Sequence, residues 1–166
     1  MQSKESPDLK TQDNVSNQTT LSNLTAPCGL DCSRCLNCTE GSVAEHARAI
    51  AETFGDNFQT YADRLKSFNP AMNNYSGFRS LLDFLASPKC DGCRSKNRTC
   101  LPSCKVAECV QKQDIEFCFE CTEFPDCGKT GLTDTLLERW EKNNKLMKNI
   151  GISKYLTVSA EKARYP

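Results

Sequence analysis

The sequence of 166 residues has no excess of charge of either sign, because 21 Lys and Arg residues balance 21 Asp and Glu residues. It also lacks an apolar run approaching the ~20 residues of a transmembrane helix, which excludes a membrane span. Histidine and tryptophan each occur only once. Since balanced charge creates no field that attracts a polyanion, a nucleic-acid partner is not expected.

Apolar residues are scarce, whereas cysteine is abundant. The hydrophobic fraction is 38%, and it includes 12 cysteines. The remaining apolar residues make a thin core, and small domains with thin cores depend on disulfides or metal ions for stability. We therefore expect the cysteines to supply cross-links.

The start of the chain lacks the apolar stretch and small-residue cleavage site of a secretory signal peptide. We predict a cytoplasmic protein, and in that reducing compartment metal-binding thiolates are expected ahead of disulfides. A disulfide-stapled secreted domain is the alternative if a signal peptide has been removed. Residues 1–25 contain 14 Ser, Thr, Asn or Gln residues and predict a disordered polar leader. One cysteine-rich domain should follow over 26–166.

Helical periodicity and helix-stop residues predict a mainly α fold, an irregular small domain whose helices are stapled by metal sites. Ser42 and Glu45 form a predicted capping box at the first helix. Helices are predicted over 42–54, 57–68, 77–86, 104–112, 134–150 and 152–163.

The first three helices are expected to form the hydrophobic core. Apolar residues share one face in the second and third of these helices. These residues are Phe58, Tyr61, Ala62, Leu65 and Phe68 in the second helix, and Phe78, Leu81, Leu82 and Leu85 in the third. In contrast, residues 90–127 hold eight cysteines among few apolar side chains, so that segment cannot fold on burial alone.

The cysteine spacings are typical of metal-binding turns. Two residues between cysteines allow a tight turn to direct both sulfurs at one ion, and two such turns make a tetrahedral zinc site. The C-x-x-C turns are Cys32/Cys35, Cys35/Cys38, Cys90/Cys93 and Cys118/Cys121. Twelve thiols would fill three sites, although two sites with spare thiols fit as well.

A [4Fe–4S] cluster held by four cysteines is the main alternative to zinc, with a role in electron transfer or redox sensing. The spacing C28-x3-C32-x2-C35 also matches the cysteine triplet of radical S-adenosylmethionine enzymes. Those enzymes need a partial or complete βα barrel of ~200 residues, whereas this chain is shorter and helical. The sequence contains no Cys/His or Ser/His/Asp arrangement from which a catalytic residue can be assigned.

Four motifs in order give the chain a resemblance to a family. It resembles an uncharacterised cysteine-rich domain of unknown function found in bacteria and archaea, in which the motifs read PCGLxCxxC, CDGCRS, CKIREC and CxxCxEFPC. The corresponding segments are 26–35, 90–95, 104–109 and 118–125. The sequence departs from the pattern by an inserted Asp126, by the additional Cys38, and by three residues between Cys100 and Cys104 instead of two.

The resemblance implies that every cysteine except Cys38 is a metal ligand. These residues are Cys28, Cys32, Cys35, Cys90, Cys93, Cys100, Cys104, Cys109, Cys118, Cys121 and Cys127. Two to three zinc ions would satisfy them. The expected function is structural metal binding by a domain that presents a surface to an unidentified protein partner.

Overall fold

A computed structural model describes residues 24–165 of the chain. Residues 1–23 of the predicted leader lie outside this range. The last two residues of the predicted leader, Leu24 and Thr25, are described. Thr25 is buried and pairs with Asp31 in an isolated antiparallel bridge. The described residues form two compact units: a central unit of residues 32–99, and a terminal unit of residues 24–31 and 100–165.

The prediction of a mainly α, irregular small domain is confirmed, and the described residues contain no β-strand. The central unit contains α1 (Ser42–Phe54), α2 (Phe58–Leu65), the 3-10 helix η1 (Pro70–Asn74) and α3 (Tyr75–Ala86). The terminal unit contains α4 (Val106–Lys112), the 3-10 helix η2 (Cys118–Glu120), α5 (Asp134–Ile150) and α6 (Ile152–Ala160). No helix in residues 24–165 combines the length and the apolar character that a membrane crossing requires.

Two local features of the central unit differ from the sequence prediction. The predicted capping box is wrong, because Gly41 is the N-cap of α1 and Ser42 is already helical, with no side-chain cap. Helix α2 ends three residues earlier than predicted, and the chain then enters η1. At the start of η1 the Asn69 side chain accepts a hydrogen bond from the N–H of Ala71 at 3.0 Å. The predicted stop of α1 at Gly55 is confirmed by its φ of 62°.

The prediction that the large apolar residues of α2 and α3 form the core of the central unit is wrong for most of them. The buried residues of α1, α2 and α3 are mostly small: Ala44, Ala47, Ala62, Tyr75 and Leu82. Phe68 is 84% exposed, and Tyr61, Leu65, Phe78 and Leu81 are also exposed. Helices α1 and α3 pack closely, and alanines at such a contact permit this close approach.

The core of the terminal unit lies between α5, α6 and the loops that carry cysteines. Phe117, Met147 and Tyr155 form its buried cluster. Asn144 of α5 is completely buried: its side chain accepts a hydrogen bond from the N–H of Phe119 at 3.0 Å and donates one to Pro27 O at 3.4 Å. A single buried amide therefore fixes the loop before Cys28 and the turn after Cys118 to the same helix.

Candidate functional site

All twelve cysteines lie in the described residues, and none of them forms a disulfide bond there. The structure therefore gives no support to the disulfide-stapled alternative. Nine of the thiols fall into two groups, one within each unit. The central cluster contains Cys32, Cys35, Cys38 and Cys90, together with Cys93, whose backbone N–H hydrogen-bonds to Cys32. The terminal cluster contains Cys109, Cys118, Cys121 and Cys127.

Three successive turns arrange the first part of the central cluster. The N–H of Cys35 donates to Cys32 O at 3.0 Å, the N–H of Cys38 donates to Cys35 O at 3.1 Å, and the N–H of Gly41 donates to Cys38 O at 3.0 Å. The overlapping C-x-x-C turns expected from the spacing are thus present. They bring the thiols of Cys32, Cys35 and Cys38 into one short segment that leads directly into α1.

A backbone pairing adds Cys90 to this segment. Cys38 and Cys90 form an isolated parallel bridge, in which the N–H of Cys90 donates to Asn37 O at 3.0 Å and the N–H of Thr39 donates to Cys90 O at 2.9 Å. The residues of a bridge pair direct their side chains to the same side. Cys38 is 1% exposed, so this bridge places two buried thiols next to each other.

Cys38 is a candidate ligand that the resemblance does not include. The resembled family has no cysteine at this position, yet Cys38 lies inside the central cluster. The signal that could have identified it was the spacing itself, since Cys35 and Cys38 repeat the C-x-x-C interval of Cys32 and Cys35.

Backbone donors surround the sulfurs of the central cluster. The N–H of Thr99 donates to Cys90 Sγ at 3.4 Å, and backbone groups of Cys93 and Glu40 hydrogen-bond to Cys32 and Cys38. Hydrogen bonds from N–H groups to sulfur favour the thiolate. They also fix the sulfurs in position, as outer-shell donors do around metal ligands.

Burial nevertheless favours the protonated form of two central thiols, Cys32 and Cys38, by raising their pKa values. Burial raises the pKa of the Cys32 thiol to about 11, and the negative charges of Cys35, Cys38 and Cys90 raise it further, whereas the N–H of Cys93 acts in the opposite direction. The pKa of Cys38 is raised by burial and by Cys90 and Cys35. Charges on nearby thiols act in this direction because each disfavours the ionised form of the other.

The terminal cluster shows the same electrostatic pattern. Burial raises the pKa of the Cys118 thiol to about 11, and the charges of Cys109, Cys127 and Cys121 add to the increase. Helix α4 carries Cys109, and η2 begins at Cys118 and closes a turn in which the N–H of Cys121 donates to Cys118 O at 3.1 Å. Two elements and a loop therefore contribute four thiols to this part of the unit.

The single tryptophan lies against the terminal cluster. Trp140 of α5 is 2% exposed, and its ring packs edge-on against Phe124 at a centroid distance of 5.3 Å. Its indole N–H makes no well-formed hydrogen bond. It nevertheless acts as a weak donor toward Cys118 and lowers the pKa of that thiol. A protonated thiol is a weak acceptor, whereas a thiolate would satisfy this buried donor.

A surface cation also faces the terminal cluster. Lys129 forms an ion pair with Glu123 at 2.5 Å. The hydrogen bond to Glu123 raises the pKa of Lys129, and the charges of Cys127 and Cys109 raise it further. A positive group beside these two sulfurs stabilises negative charge on the cluster.

Three of the predicted ligands lie outside these groups. Cys28, Cys100 and Cys104 are not among the thiols that act most strongly on Cys32 or Cys118. Cys28 is buried in the terminal unit, Cys104 is half-buried, and Cys100 is exposed. The only histidine, His46, is exposed on α1.

The clustered side chains are of the type that binds thiophilic cations, but their arrangement is not that of a metal site. In residues 24–165 no three Cys, His, Asp or Glu side chains are arranged to hold a metal ion. Each cluster nevertheless has at least four cysteines, which is the number of thiolates that tetrahedral zinc takes in structural sites. The unsatisfied N–H of Trp140 beside Cys118 is a second feature that fits a metal-bound thiolate.

Comparison with known proteins places the cysteine-rich part of the chain in a family. No curated protein and no solved structure matches the chain. Residues 24–131 match the family described as protein of unknown function (DUF3795). This range contains both cysteine clusters and ends before α5, and the expectation of an uncharacterised domain family is confirmed. The chain belongs to the DUF3795 family of proteins of unknown function.

Proposed function

We propose that this protein binds two zinc ions through thiolates, one at the central cluster and one at the terminal cluster, and that the metal is structural. The observation that carries the proposal is the separation of nine cysteines into two groups, each with at least four members and each within one compact unit. Structural zinc sites take four thiolates in a closed tetrahedral shell.

The raised thiol pKa values are compatible with metal binding. A protonated thiol is a poor ligand, so binding requires loss of the protons and convergence of the sulfurs on one point. Zinc supplies the driving force because a coordinating thiol is deprotonated outright. The proposal therefore includes proton release on zinc binding, and an apparent affinity that increases with pH.

A structural role is supported by the composition of the cysteine-bearing loops. Few large apolar side chains are buried in the central unit, and a zinc site contributes on the order of 10 kcal/mol to a small module. The proposal includes a cytoplasmic location, where thiols remain reduced, and a protein partner for the surface that the metal sites stabilise.

The proposal is tested by metal analysis and an absorption spectrum of protein purified without oxygen and without added metal. We expect a colourless protein that contains about two zinc ions per chain. A brown protein with iron and acid-labile sulfide would establish the iron–sulfur alternative and contradict the zinc proposal. A well-folded protein that takes up neither metal would contradict both.

A further inference from the structure

Two cysteines of the central cluster lie opposite each other where two distant segments pair. We call Cys38 and Cys90 the bridge pair, and hydrogen bonds of 3.0 and 2.9 Å on either side of Cys90 fix its register against Cys38. Backbones paired in this way lie about 4.8 Å apart. Since a disulfide links Cα atoms that are about 4.4–6.8 Å apart, the bridge holds the pair at a backbone separation that a disulfide accepts.

The electrostatic environment of Cys38 agrees with this arrangement. Burial is the main cause of the raised pKa of the Cys38 thiol, and among the charges that add to the increase Cys90 acts more strongly than Cys35. Coulomb interactions weaken with distance. This order is therefore the one expected when the two side chains of the bridge pair face the same side.

The burial of the bridge pair selects a small oxidant. Cys38 is 1% exposed and Cys90 is 8% exposed, so a bulky disulfide such as glutathione disulfide is too large to reach either sulfur, whereas hydrogen peroxide is scarcely larger than water. The N–H of Thr99 donates to Cys90 Sγ at 3.4 Å and stabilises negative charge on that sulfur. A thiolate is the form of cysteine that attacks an oxidant, which makes Cys90 the first thiol to react.

We propose that hydrogen peroxide links Cys38 and Cys90 through a reversible disulfide, so that the bridge pair is an oxidant-sensitive modification site. The Cys90 sulfur attacks one peroxide oxygen, the O–O bond breaks, and a sulfenic acid and one water form. The Cys38 sulfur then attacks the sulfenic sulfur, and the hydroxyl leaves with the Cys38 thiol proton as a second water. Two thiols thereby lose two electrons, and one peroxide is reduced to two waters.

The disulfide has two consequences for the central unit. The loop that it closes contains α1, α2, η1 and α3, and a cross-link across a long loop stabilises a fold by restricting the unfolded chain. It also leaves only three free cysteines in the central cluster, which is fewer than the four that a structural zinc site takes. Oxidation therefore exchanges a metal cross-link for a covalent one. This exchange rests on the proposed function, whereas the disulfide itself does not.

The test is disulfide mapping by mass spectrometry of the full metal-free chain, after treatment with hydrogen peroxide and blocking of the remaining thiols. We expect the Cys38–Cys90 linkage as the main product, and dithiothreitol should remove it. The chain unfolded in urea should instead link close neighbours such as Cys32 and Cys35, because short loops close more readily. A native protein in which C-x-x-C linkages or a random mixture predominate overturns the proposal.

A pair of variants tests the choice of partner for Cys90. The matched variants are Cys38→Ser and Cys35→Ser, because both remove a thiol from the same series of turns. Cys35→Ser should retain the disulfide of Cys90, and Cys38→Ser should abolish it. A Cys38→Ser protein that links Cys90 to another cysteine in undiminished yield overturns the proposal.

Zinc release distinguishes this proposal from the proposed function. In zinc-loaded protein, peroxide should release about one zinc ion for each Cys38–Cys90 disulfide, because one ion takes four thiolates, and dithiothreitol should allow the zinc to rebind. Release of zinc without this disulfide overturns the modification site and leaves the proposed function intact. A protein that binds no zinc but forms the disulfide supports the modification site and contradicts the proposed function alone.

Discussion

Cys38 and Cys90 are paired across a parallel backbone bridge and are both buried, although 51 residues separate them in the sequence. The bridge joins the segment before α1 to the loop after α3, and hydrogen bonds reinforce the connection. The Thr39 hydroxyl donates to Asp91 at 2.8 Å, and the Asn37 amide donates to Thr99 at 2.7 Å. Two loops without secondary structure of their own are thereby fixed beside the thiols that they carry.

Substitution of Cys38 tests whether this pairing builds a metal site. We expect Cys38→Ser to weaken zinc binding at the central cluster at least about tenfold, because a hydroxyl replaces a thiolate at a position fixed by the bridge. Zinc release into a competing chelator measures the effect. The matched control is Cys100→Ser at an exposed thiol, which should retain all of its zinc. Equal zinc release by both variants would contradict the assignment of Cys38.

Trp140 should report zinc binding at the terminal cluster alone. It is the only tryptophan in the chain, and its indole N–H acts on Cys118. Removal of zinc by a chelator should change the tryptophan fluorescence intensity and wavelength, and restoration of zinc should reverse the change. Cys118→Ser should abolish the response, whereas Cys38→Ser should preserve it. A response that is lost in both variants would show that the two clusters do not bind metal separately.

The metal-free protein should lose stability in alkaline solution. Burial raises the pKa of Cys32 and Cys118 from 9.0 to about 11 in the folded state. The folded protein therefore retains protons that the unfolded chain releases between these values, and the free energy of unfolding falls as the pH rises from about 9 to 11. Urea unfolding with chelator and reductant present measures this decrease, and a Cys32→Ser/Cys118→Ser variant should show a smaller one. A free energy that is constant over this range would contradict the burial of these thiols.

Two glycines should respond oppositely to alanine substitution. Gly131 has a φ of 65°, and a Cβ there would lie 1.9 Å from Ser103 O, so Gly131→Ala should cost about 2 kcal/mol or more. Gly77 lies inside α3 with open space around it, so Gly77→Ala should stabilise the protein by about 0.5–1 kcal/mol. Urea unfolding midpoints check both values. A Gly131→Ala protein as stable as the unmodified chain would contradict the close approach to Ser103.

The sequence alone determined where the helices lie. Periodic apolar residues together with Gly55 and Gly151 predicted α1 and α5 with their correct ends, because these signals are local and act within one or two turns. The same periodicity showed which residues share a face of α2 and α3. It could not show which face is buried, because that depends on what packs against it. The close contact of α1 with α3 buried alanines and left Phe78 and Leu81 of α3 exposed.

The sequence also determined that the chain carries C-x-x-C turns, because a turn of four residues needs only local hydrogen bonds. Only the tertiary structure decided which turns belong together. Twelve equivalent thiols can be divided in many ways, and the division depends on contacts between distant segments. Here a backbone bridge pairs Cys38 with Cys90, and the buried Trp140 acts on Cys118. Such pairing and packing between segments far apart in the chain fix where each sulfur lies.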